Sequence, residues 1–321
     1  MELFHFKRDI PFMSYGKLTT FISLATFILA VFFLATRGLN LSVEFTGGTL
    51  MEVEYKQQGA NIDQVRQDLE KLQLGEIQVQ ALGTNKHIMV RLPNKTSAAQ
   101  SADGQKAETA KLSNQVMEVL KQRNADASLR QVEFIGPAVG EDLARNGLIA
   151  LGMVVAGIIL YLSMRFEWRF AVSAIIANMH DVVIILGCFA FFRWEFSLTV
   201  LAGVLAVLGY SVNESVVVFD RIRENFRKPA MRNKTVHQVI DNAITATAGR
   251  TVITHGSTEA MVLSMLVFGG AALHGFAIAL TIGIVFGIYS SVLVASPLLL
   301  MFGLTRNNAF KQKKQKEEVV V

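Results

Sequence analysis

The sequence predicts an all-α bundle of six membrane-spanning helices that carries one α+β domain outside the membrane. Hydrophobic residues make up 51% of the 321 residues and charged residues only 18%, whereas a soluble protein carries about 25% charged residues. Six apolar runs reach the length of about 20 residues that a spanning helix needs. The polar stretch between the first two runs is long enough to fold as a domain of its own.

Charged residues bracket the apolar runs, so the spans can be placed in order. The first run lies between Lys17 and Arg37 and is long enough to span, which predicts a retained helix rather than a cleaved signal peptide. The sixth run is longer than one helix needs, and Pro297 is expected to end or kink it. The predicted division is an amino-terminal segment 1–17, spans 18–36, 146–164, 170–192, 196–219, 251–273 and 275–305, an external domain 37–145, a basic loop 220–250 and a basic tail 306–321.

The distribution of Lys and Arg predicts that both termini are cytoplasmic. With the amino terminus inside, the cytoplasmic segments hold 17 Lys and Arg residues, and the short outer loops hold only Arg193. Short cytoplasmic loops carry such an excess, whereas a long domain crosses regardless of its charge. The basic tail could contact nucleic acid, a ribosome or anionic membrane lipid, but a solvated tail that sets orientation is favoured.

The external domain shows the order β-α-β-β-α-β, which is the ferredoxin-like arrangement. Alternating apolar residues predict strands, and spacings of three and four residues predict helices. No Ser/His/Asp set, paired Cys or metal-ligand spacing occurs there, and His87 stands alone in a strand. The predicted elements are strands 42–56, 77–82, 87–92 and 129–135, helices 61–73 and 108–123, and a polar linker 93–106.

Ionisable residues inside the spans are expensive and therefore suggest function. Glu214 lies in the polar segment GYSVNES of the fourth span, where removal from water favours the neutral carboxyl. Such a group can bind and release protons, although a helix-interface hydrogen bond is the alternative. Arg250, where the basic loop meets the fifth span, could hold Glu214 ionised or could serve only orientation.

The other charged positions leave more than one interpretation open. His180 and Asp181 in the third span could form a second relay element, or Asp181 could bond a neighbouring helix. Asp220, near two arginines at the end of the fourth span, favours a structural role. Glu259 and His255 lie four residues apart on one helix face and could pair, but neither has a second ligand at metal-binding spacing.

These residues lie in motifs that resemble the SecF branch of the SecD/SecF family, and the resemblance covers nearly the whole chain. Its most specific part is the fourth-span motif with the segment that follows it. The motifs are VEFTGGT (43–49), GPAVG (136–140), HD (180–181), GYSVNES (209–215), VFDRIREN (218–225), RT (250–251) and FGG (268–270).

The resemblance implies a resistance-nodulation-division type of bundle in the bacterial inner membrane, with no cofactor. It implies a complex with SecD, the SecYEG channel and YajC, and use of the proton gradient to move exported polypeptides after the steps driven by SecA. It further implies that Glu214 and Arg250 conduct protons. The residues themselves offer further candidates for supporting this relay, which are His180, Asp181, Asn213, Asp220 and Glu259.

Three features depart from the family pattern: Glu214 replaces an expected Asp, His255 and Glu259 replace small polar or apolar residues, and the linker 93–106 is long. Two alternatives to proton-driven export remain. The chain could be one half of a small-molecule exporter, which would need a second half to complete the transporter. It could instead be a scaffold that only stabilises the channel complex, which would tolerate neutral residues at Glu214 and Arg250. An intramembrane aspartyl protease is disfavoured, because Asp181 and Asp220 lie in different contexts.

Overall fold

A computed structural model of the chain describes residues 8–56, 59–72, 77–82, 84–92 and 102–309. The helices are α1 (Gly16–Arg37), α2 (Val43–Thr46), α3 (Ile62–Glu70), α4 (Ala102–Arg123), α5 (Pro137–Arg165), α6 (Trp168–Phe192), α7 (Leu198–Arg227), α8 (Val236–Phe268), α9 (Gly270–Leu293) and α10 (Ala295–Met301). The strands are β1 (Asn40–Leu41), β2 (Gly48–Tyr55), β3 (Gln78–Leu82), β4 (Thr84–Leu92), β5 (Ala127–Ile135) and β6 (Glu195–Phe196).

Six helical segments in the described residues are long and apolar enough to cross a membrane, which confirms the predicted bundle. They are α1, α5, α6, α7, α8 and the pair α9–α10. The central helices α6, α7 and α9 pack against one another, α1 packs on α6, and α8 packs on α7 and α9. Much of the outer surface of α1, α5 and α8 is apolar and exposed, as expected for helices that face lipid.

The helices extend beyond the apolar runs, so the predicted basic loop 220–250 is wrong for most of its length. The helix α7 continues to Arg227, and Pro229 stops it because the residue before a proline avoids helical geometry. The helix α8 begins at Val236, where Thr235 and Gln238 form a capping box. Charged residues can extend a spanning helix past the bilayer, so the charges did not mark its ends.

The last two predicted spans, 251–273 and 275–305, are also corrected. The helix α8 ends at Phe268, and Gly270 takes a φ of 67°, which glycine adopts without strain. The chain then returns through α9, breaks at Val294 and continues as α10. Pro297 lies in the first turn of α10, where its missing N–H leaves no helical bond unmade.

The external domain has the predicted ferredoxin-like topology. Its four strands are in the order β3-β4-β2-β5, and every neighbouring pair is antiparallel. The helices α3 and α4 bury their apolar faces on one side of the sheet, where alternate residues of each strand point inward. The buried core includes Met51, Val53, Val65, Leu69, Ile88, Val90, Val116 and Leu120.

Two local predictions in this domain are wrong. Residues 43–46 form the single helical turn α2 rather than the start of a strand, and β2 begins at Gly48. A Cβ at Gly48 would lie 2.7 Å from the carbonyl oxygen of Leu92, so only glycine fits there. The end of the predicted linker is helical because α4 already begins at Ala102, and residues 93–101 lie outside the described residues.

The domain is joined to the bundle by an element that the sequence did not predict. The strand β1 follows α1 and pairs in parallel with β6, which connects α6 to α7. The carboxylate of Glu44 in α2 accepts a hydrogen bond from the backbone N–H of Leu198 at 2.6 Å, at the start of α7. The sheet is thereby held over the end of α7, the helix that carries Glu214.

Candidate functional site

Two carboxylic acids are buried in the middle of the bundle. Glu214 in α7 is 5% exposed, and Asp181 in α6 is 1% exposed. Glu214 lies sixteen residues beyond the first residue of α7, or about 24 Å along a helix that rises 1.5 Å per residue. Both acids are therefore far from either end of their helices. A charge is most expensive in this central part of a spanning helix.

The helix α8 supplies the immediate partners of Glu214. The hydroxyl of Thr251 donates a hydrogen bond of 2.5 Å to Oε1 of Glu214. The Nδ1 atom of His255 lies 3.9 Å from Oε2 and 3.0 Å from the carbonyl oxygen of Thr251. Thr251 and His255 are one helical turn apart, which is why both reach the same side chain across the α7–α8 contact.

Tyr210 closes the side of this cluster that faces the start of α7. Its ring meets the imidazole of His255 edge-on, with the ring centroids 4.8 Å apart. The hydroxyl of Tyr210 donates to Thr258 at 3.4 Å, which places the tyrosine alongside α8. We call Tyr210, Glu214, Thr251 and His255 the α7–α8 cluster.

Asp181 is the centre of a second polar network, which joins four helices. Its Oδ2 atom accepts hydrogen bonds of 2.7 Å from Ser211 in α7 and from Ser290 in α9. Its Oδ1 atom lies 3.4 Å from Nδ1 of His180, whose Nε2 atom lies 3.0 Å from the hydroxyl of Ser23 in α1. The predicted His180–Asp181 pair therefore does bond neighbouring helices.

The two acids are connected through one turn of α7. Ser211, which binds Asp181, lies three residues before Glu214, and residues at this spacing are neighbours on a helix surface. A buried carboxyl with hydroxyl partners can exist ionised or protonated, because a hydroxyl can either donate or accept. Among the described residues, no group of three or more His, Cys, Asp or Glu side chains could hold a metal.

Arg250 and Asn213, both predicted for the relay, lie on the outer surface of the bundle. Both are exposed, and no ion pair joins Arg250 to Glu214 within the described residues. Arg250 precedes Thr251, and consecutive residues point about 100° apart around a helix. The α8 residue that reaches Glu214 in this chain is therefore Thr251, and the arginine faces away.

The remaining predicted residues lie apart from the cluster. Asp220 pairs with Arg165 at 2.6 Å and with Arg223 at 3.3 Å, which agrees with a structural role at the end of α7. Glu259 has a buried Oε2 atom without a hydrogen-bond partner in the described part of the chain. No hydrogen bond or ion pair joins Glu259 to His255 in the described residues, where Nδ1 of His255 bonds the carbonyl oxygen of Thr251.

Sequence reasoning missed the hydroxyl residues that organise both acids. Ser23 and Ser290 lie in apolar runs, Ser211 lies in the polar segment GYSVNES and Thr251 in the RT motif, and all four are buried. Hydroxyl side chains in spanning helices often bond across helix interfaces. That tendency could have drawn attention to them, but many other Ser and Thr residues of the same helices only bond their own backbone, as Thr247 and Ser291 do.

A cleft between the open face of the sheet and the adjacent end of the bundle holds several carboxylates. Glu44, Glu52, Glu133 and Glu195 line it together with Trp194. Burial raises the pKa of Glu195, the nearby charge of Glu44 adds to this effect, and Arg91 opposes it. Glu44 caps α7 and Glu52 lies 3.5 Å from Arg130, so these two acids have structural partners.

Comparisons with known proteins agree with the resemblance seen in the motifs. The family described as protein export membrane protein SecD/SecF, C-terminal, matches residues 115–305, and the SecD/SecF GG motif matches residues 32–58. The protein translocase subunit SecF of Vibrio alginolyticus is 40% identical, over 97% of this chain and 95% of the relative. That of Escherichia coli O157:H7 is 38% identical, over 98% and 95%.

A solved structure shows the same fold. The crystal structure of SecDF, a translocon-associated membrane protein from Thermus thermophilus, superposes with a TM-score of 0.79 at 31% identity and covers 92% of this chain. The present chain spans only 39% of that SecDF chain. By its motifs, its fold and its end-to-end similarity to SecF subunits, the chain belongs to the SecD/SecF family and serves as an auxiliary subunit in protein export.

Proposed function

We propose that the chain acts with a SecD partner in the bacterial inner membrane and uses the proton gradient to assist late steps of polypeptide export. Glu214 is the proton carrier. The observation that carries this proposal is the position of its carboxyl group, which is 5% exposed at mid-bundle and has no Lys or Arg partner within the described residues. An isolated charge at such a site is strongly disfavoured, so proton binding there changes the energy of the bundle.

Protonation alters the contacts of α7 with α8. In the ionised state, Glu214 accepts the hydroxyl proton of Thr251 in a charge-assisted hydrogen bond. In the protonated state the carboxyl is neutral, so this bond weakens and the penalty for burying a charge disappears. The two helices thus have a different energetic relation in each state, which is what a proton-driven conformational change requires.

The outer surface of α7 and α8 carries polar side chains that a partner bundle covers. Asn213, Arg250, Thr254 and Ser257 are exposed on the surface of this chain. Polar and charged side chains are costly against lipid and usually face protein or water inside membranes. The SecDF chain, of which this chain spans 39%, has length for a second such bundle. We therefore place SecD on this face, where Arg250 completes the proton pathway.

The remaining partners follow from membership of the export machinery. They are the SecYEG channel, YajC, SecA as the motor of earlier steps, the exported polypeptide and the surrounding lipid. The excess of Lys and Arg in predicted cytoplasmic segments supports an orientation with both termini inside and the sheet domain outside. There the domain meets polypeptide as it leaves the channel.

The test is gradient-dependent export in vesicles that contain the Glu214→Gln variant with its partners. Glu214→Asp is the conservative variant, and Glu224→Gln is the matched control, because Glu224 lies on the same helix but pairs at the surface with Arg221 and Lys228. We expect Gln at position 214 to abolish the gradient-dependent component while the complex still assembles. The Asp variant and the control should retain it. Normal export by Glu214→Gln would instead support a scaffold role.

A further inference from the structure

Two arginines share one carboxylate and one aromatic ring near the ends of α5 and α7. The guanidinium group of Arg165 lies 2.6 Å from Oδ2 of Asp220, and that of Arg223 lies 3.3 Å from Oδ1. Both guanidinium carbons also lie over the ring of Phe166, at 5.3 and 5.4 Å from its centroid. We call Arg165, Arg223, Arg227 and Asp220 the arginine patch.

The arginine patch carries more positive than negative charge. Arg165 and Arg227 lie close enough to Arg223 to repel its charge, and Asp220 is the one acid of the patch. The nearby Glu224 pairs with two other basic side chains instead. The side chain of Arg165 is 43% exposed, and a guanidinium group has five N–H donors, so Arg165 keeps donors beyond the one that reaches Asp220. An anion in front of the patch would reduce the repulsion among the arginines.

Aromatic side chains place the arginine patch at the depth of lipid head groups. Tyr161 lies one turn before Arg165 on the same face of α5, and Trp168 begins α6 three residues after Arg165. Both aromatic residues are about half exposed, and Tyr and Trp are enriched at membrane–water interfaces. Leu160 and Met164 are exposed as well. The charges are therefore bordered by an apolar surface of α5.

We propose that the arginine patch binds the head group of an anionic phospholipid, whose acyl chains lie against the exposed apolar surface of α5. The phosphodiester accepts hydrogen bonds from Arg165, because the planar guanidinium group matches the geometry of phosphate oxygens. Arg223 and Arg227 add electrostatic attraction. Basic pockets between spanning helices bind lipid head groups in this way. A zwitterionic lipid brings a positive charge of its own, so the patch prefers a lipid with net negative charge.

Lipid binding and a purely structural role give different predictions for Arg165 and Asp220. If the ion pair only joins α5 to α7, then Arg165→Gln and Asp220→Asn remove the same contact and have the same effect. If the patch binds an anion, losing a cation weakens binding, whereas losing the competing carboxylate strengthens it. One Lys or Arg near the membrane surface changes the binding of anionic lipid about fivefold.

The experiment uses the full chain in lipid vesicles, with Trp168 as a fluorescent reporter beside the patch. Trp194, the other tryptophan of the sequence, packs against Phe189 and Phe192 near the opposite end of α6 and is replaced by Phe. The vesicles mix phosphatidylcholine with phosphatidylglycerol, and one of the two lipids carries brominated acyl chains, which quench tryptophan on contact. Comparing the quenching by each brominated lipid gives their relative binding constant near Trp168.

We expect the parent to prefer phosphatidylglycerol by at least about fivefold. Arg165→Gln should lower this preference about fivefold, and Asp220→Asn should raise it by a similar factor. Arg232→Gln, which removes an exposed cation from the loop between α7 and α8, is the matched control and should behave like the parent.

A parent that shows no preference for phosphatidylglycerol overturns the inference without any variant. A preference that changes in the same direction in Arg165→Gln and Asp220→Asn overturns it as well, since this result indicates a structural ion pair. If Arg165→Gln does not fold, Arg227→Gln takes its place, because Arg227 is exposed.

Discussion

Replacing Asp181 tests whether the second buried acid holds the bundle together. The Asp181→Ala variant removes the acceptor of two hydrogen bonds of 2.7 Å, from Ser211 and from Ser290, and leaves both hydroxyls without this partner. The Asp181→Asn variant is the matched control. Its amide oxygen can still accept from both serines, while its NH₂ group faces His180.

The expected decrease in the free energy of unfolding follows from the contributions measured for such hydrogen bonds. Hydrogen bonds to charged groups contribute about 1.5–3 kcal/mol each in soluble proteins. In membrane proteins, side-chain hydrogen bonds average about 0.6 kcal/mol and reach about 1.7. A serine hydroxyl can also donate to a backbone carbonyl of its own helix, as Ser290 does to Gly287 at 3.3 Å. The range for membrane proteins therefore applies. Two bonds give about 1–3 kcal/mol for Asp181→Ala and less than about 1 for Asp181→Asn.

The measurement is the free energy of unfolding in detergent micelles, followed by circular dichroism as denaturant is added. A double-mutant cycle between Asp181→Ala and Ser290→Ala isolates their coupling energy. We expect about 0.6–1.7 kcal/mol for this coupling. The reasoning is refuted if Asp181→Ala unfolds like the parent, or if the cycle shows no coupling although each single variant is folded.

Three further predictions concern packing, the domain junction and pH. Gly187→Ala should destabilise the bundle by about 1–3 kcal/mol, because its Cβ would lie 2.4 Å from that of Ala30, whereas Gly157→Ala, with open space, should be neutral or slightly stabilising in the same unfolding assay. Glu44→Gln should make the start of α7 exchange its amide hydrogens faster, since the carboxylate accepts from Leu198, and unchanged exchange there would contradict that role. Burial raises the pKa of Glu195 in the folded protein, so the ionised carboxylate destabilises the fold. This penalty disappears as the pH falls toward the pKa that Glu195 has in the unfolded chain. Glu195→Gln should therefore raise the melting temperature at about pH 8 but not at about pH 4, and an equal gain at both would refute this cause.

The topology of the sheet domain could be predicted because one side of each element faces water. Strand residues such as Met51 and Val53 are buried while Glu52 between them is not, and α3 buries Val65 and Leu69 on one side. Periods of two and of 3.6 residues were therefore readable in the sequence. The turn α2 escaped prediction because Val43 and Phe45 alternate like strand residues, although the chain turns sharply at Gly47 and Gly48.

The partners of Glu214 could not be predicted for the opposite reason. In a bilayer, a helix face turned to lipid is as apolar as a face turned to the protein, so hydrophobic periodicity does not reveal how a helix is rotated. Val252 and Ile253 are exposed on α8 although they look like core residues. The sequence could identify Glu214 as unusual, but the choice between Arg250 and Thr251 as its neighbour depends on about 100° of rotation.

That rotation connects Glu214 to the surface that we propose for SecD. Arg250 and Thr251 are consecutive on one rigid helix, with Arg250 exposed and the Thr251 hydroxyl 2.5 Å from Glu214. A partner that pulls on the arginine therefore also moves the donor of the carboxylate. Conversely, in the proposed mechanism, protonation of Glu214 weakens the bond with Thr251 and frees α8 to shift the arginine. Under this proposal, coupling between the two subunits needs no chain of intermediates, because one helix presents Arg250 to the partner and Thr251 to Glu214.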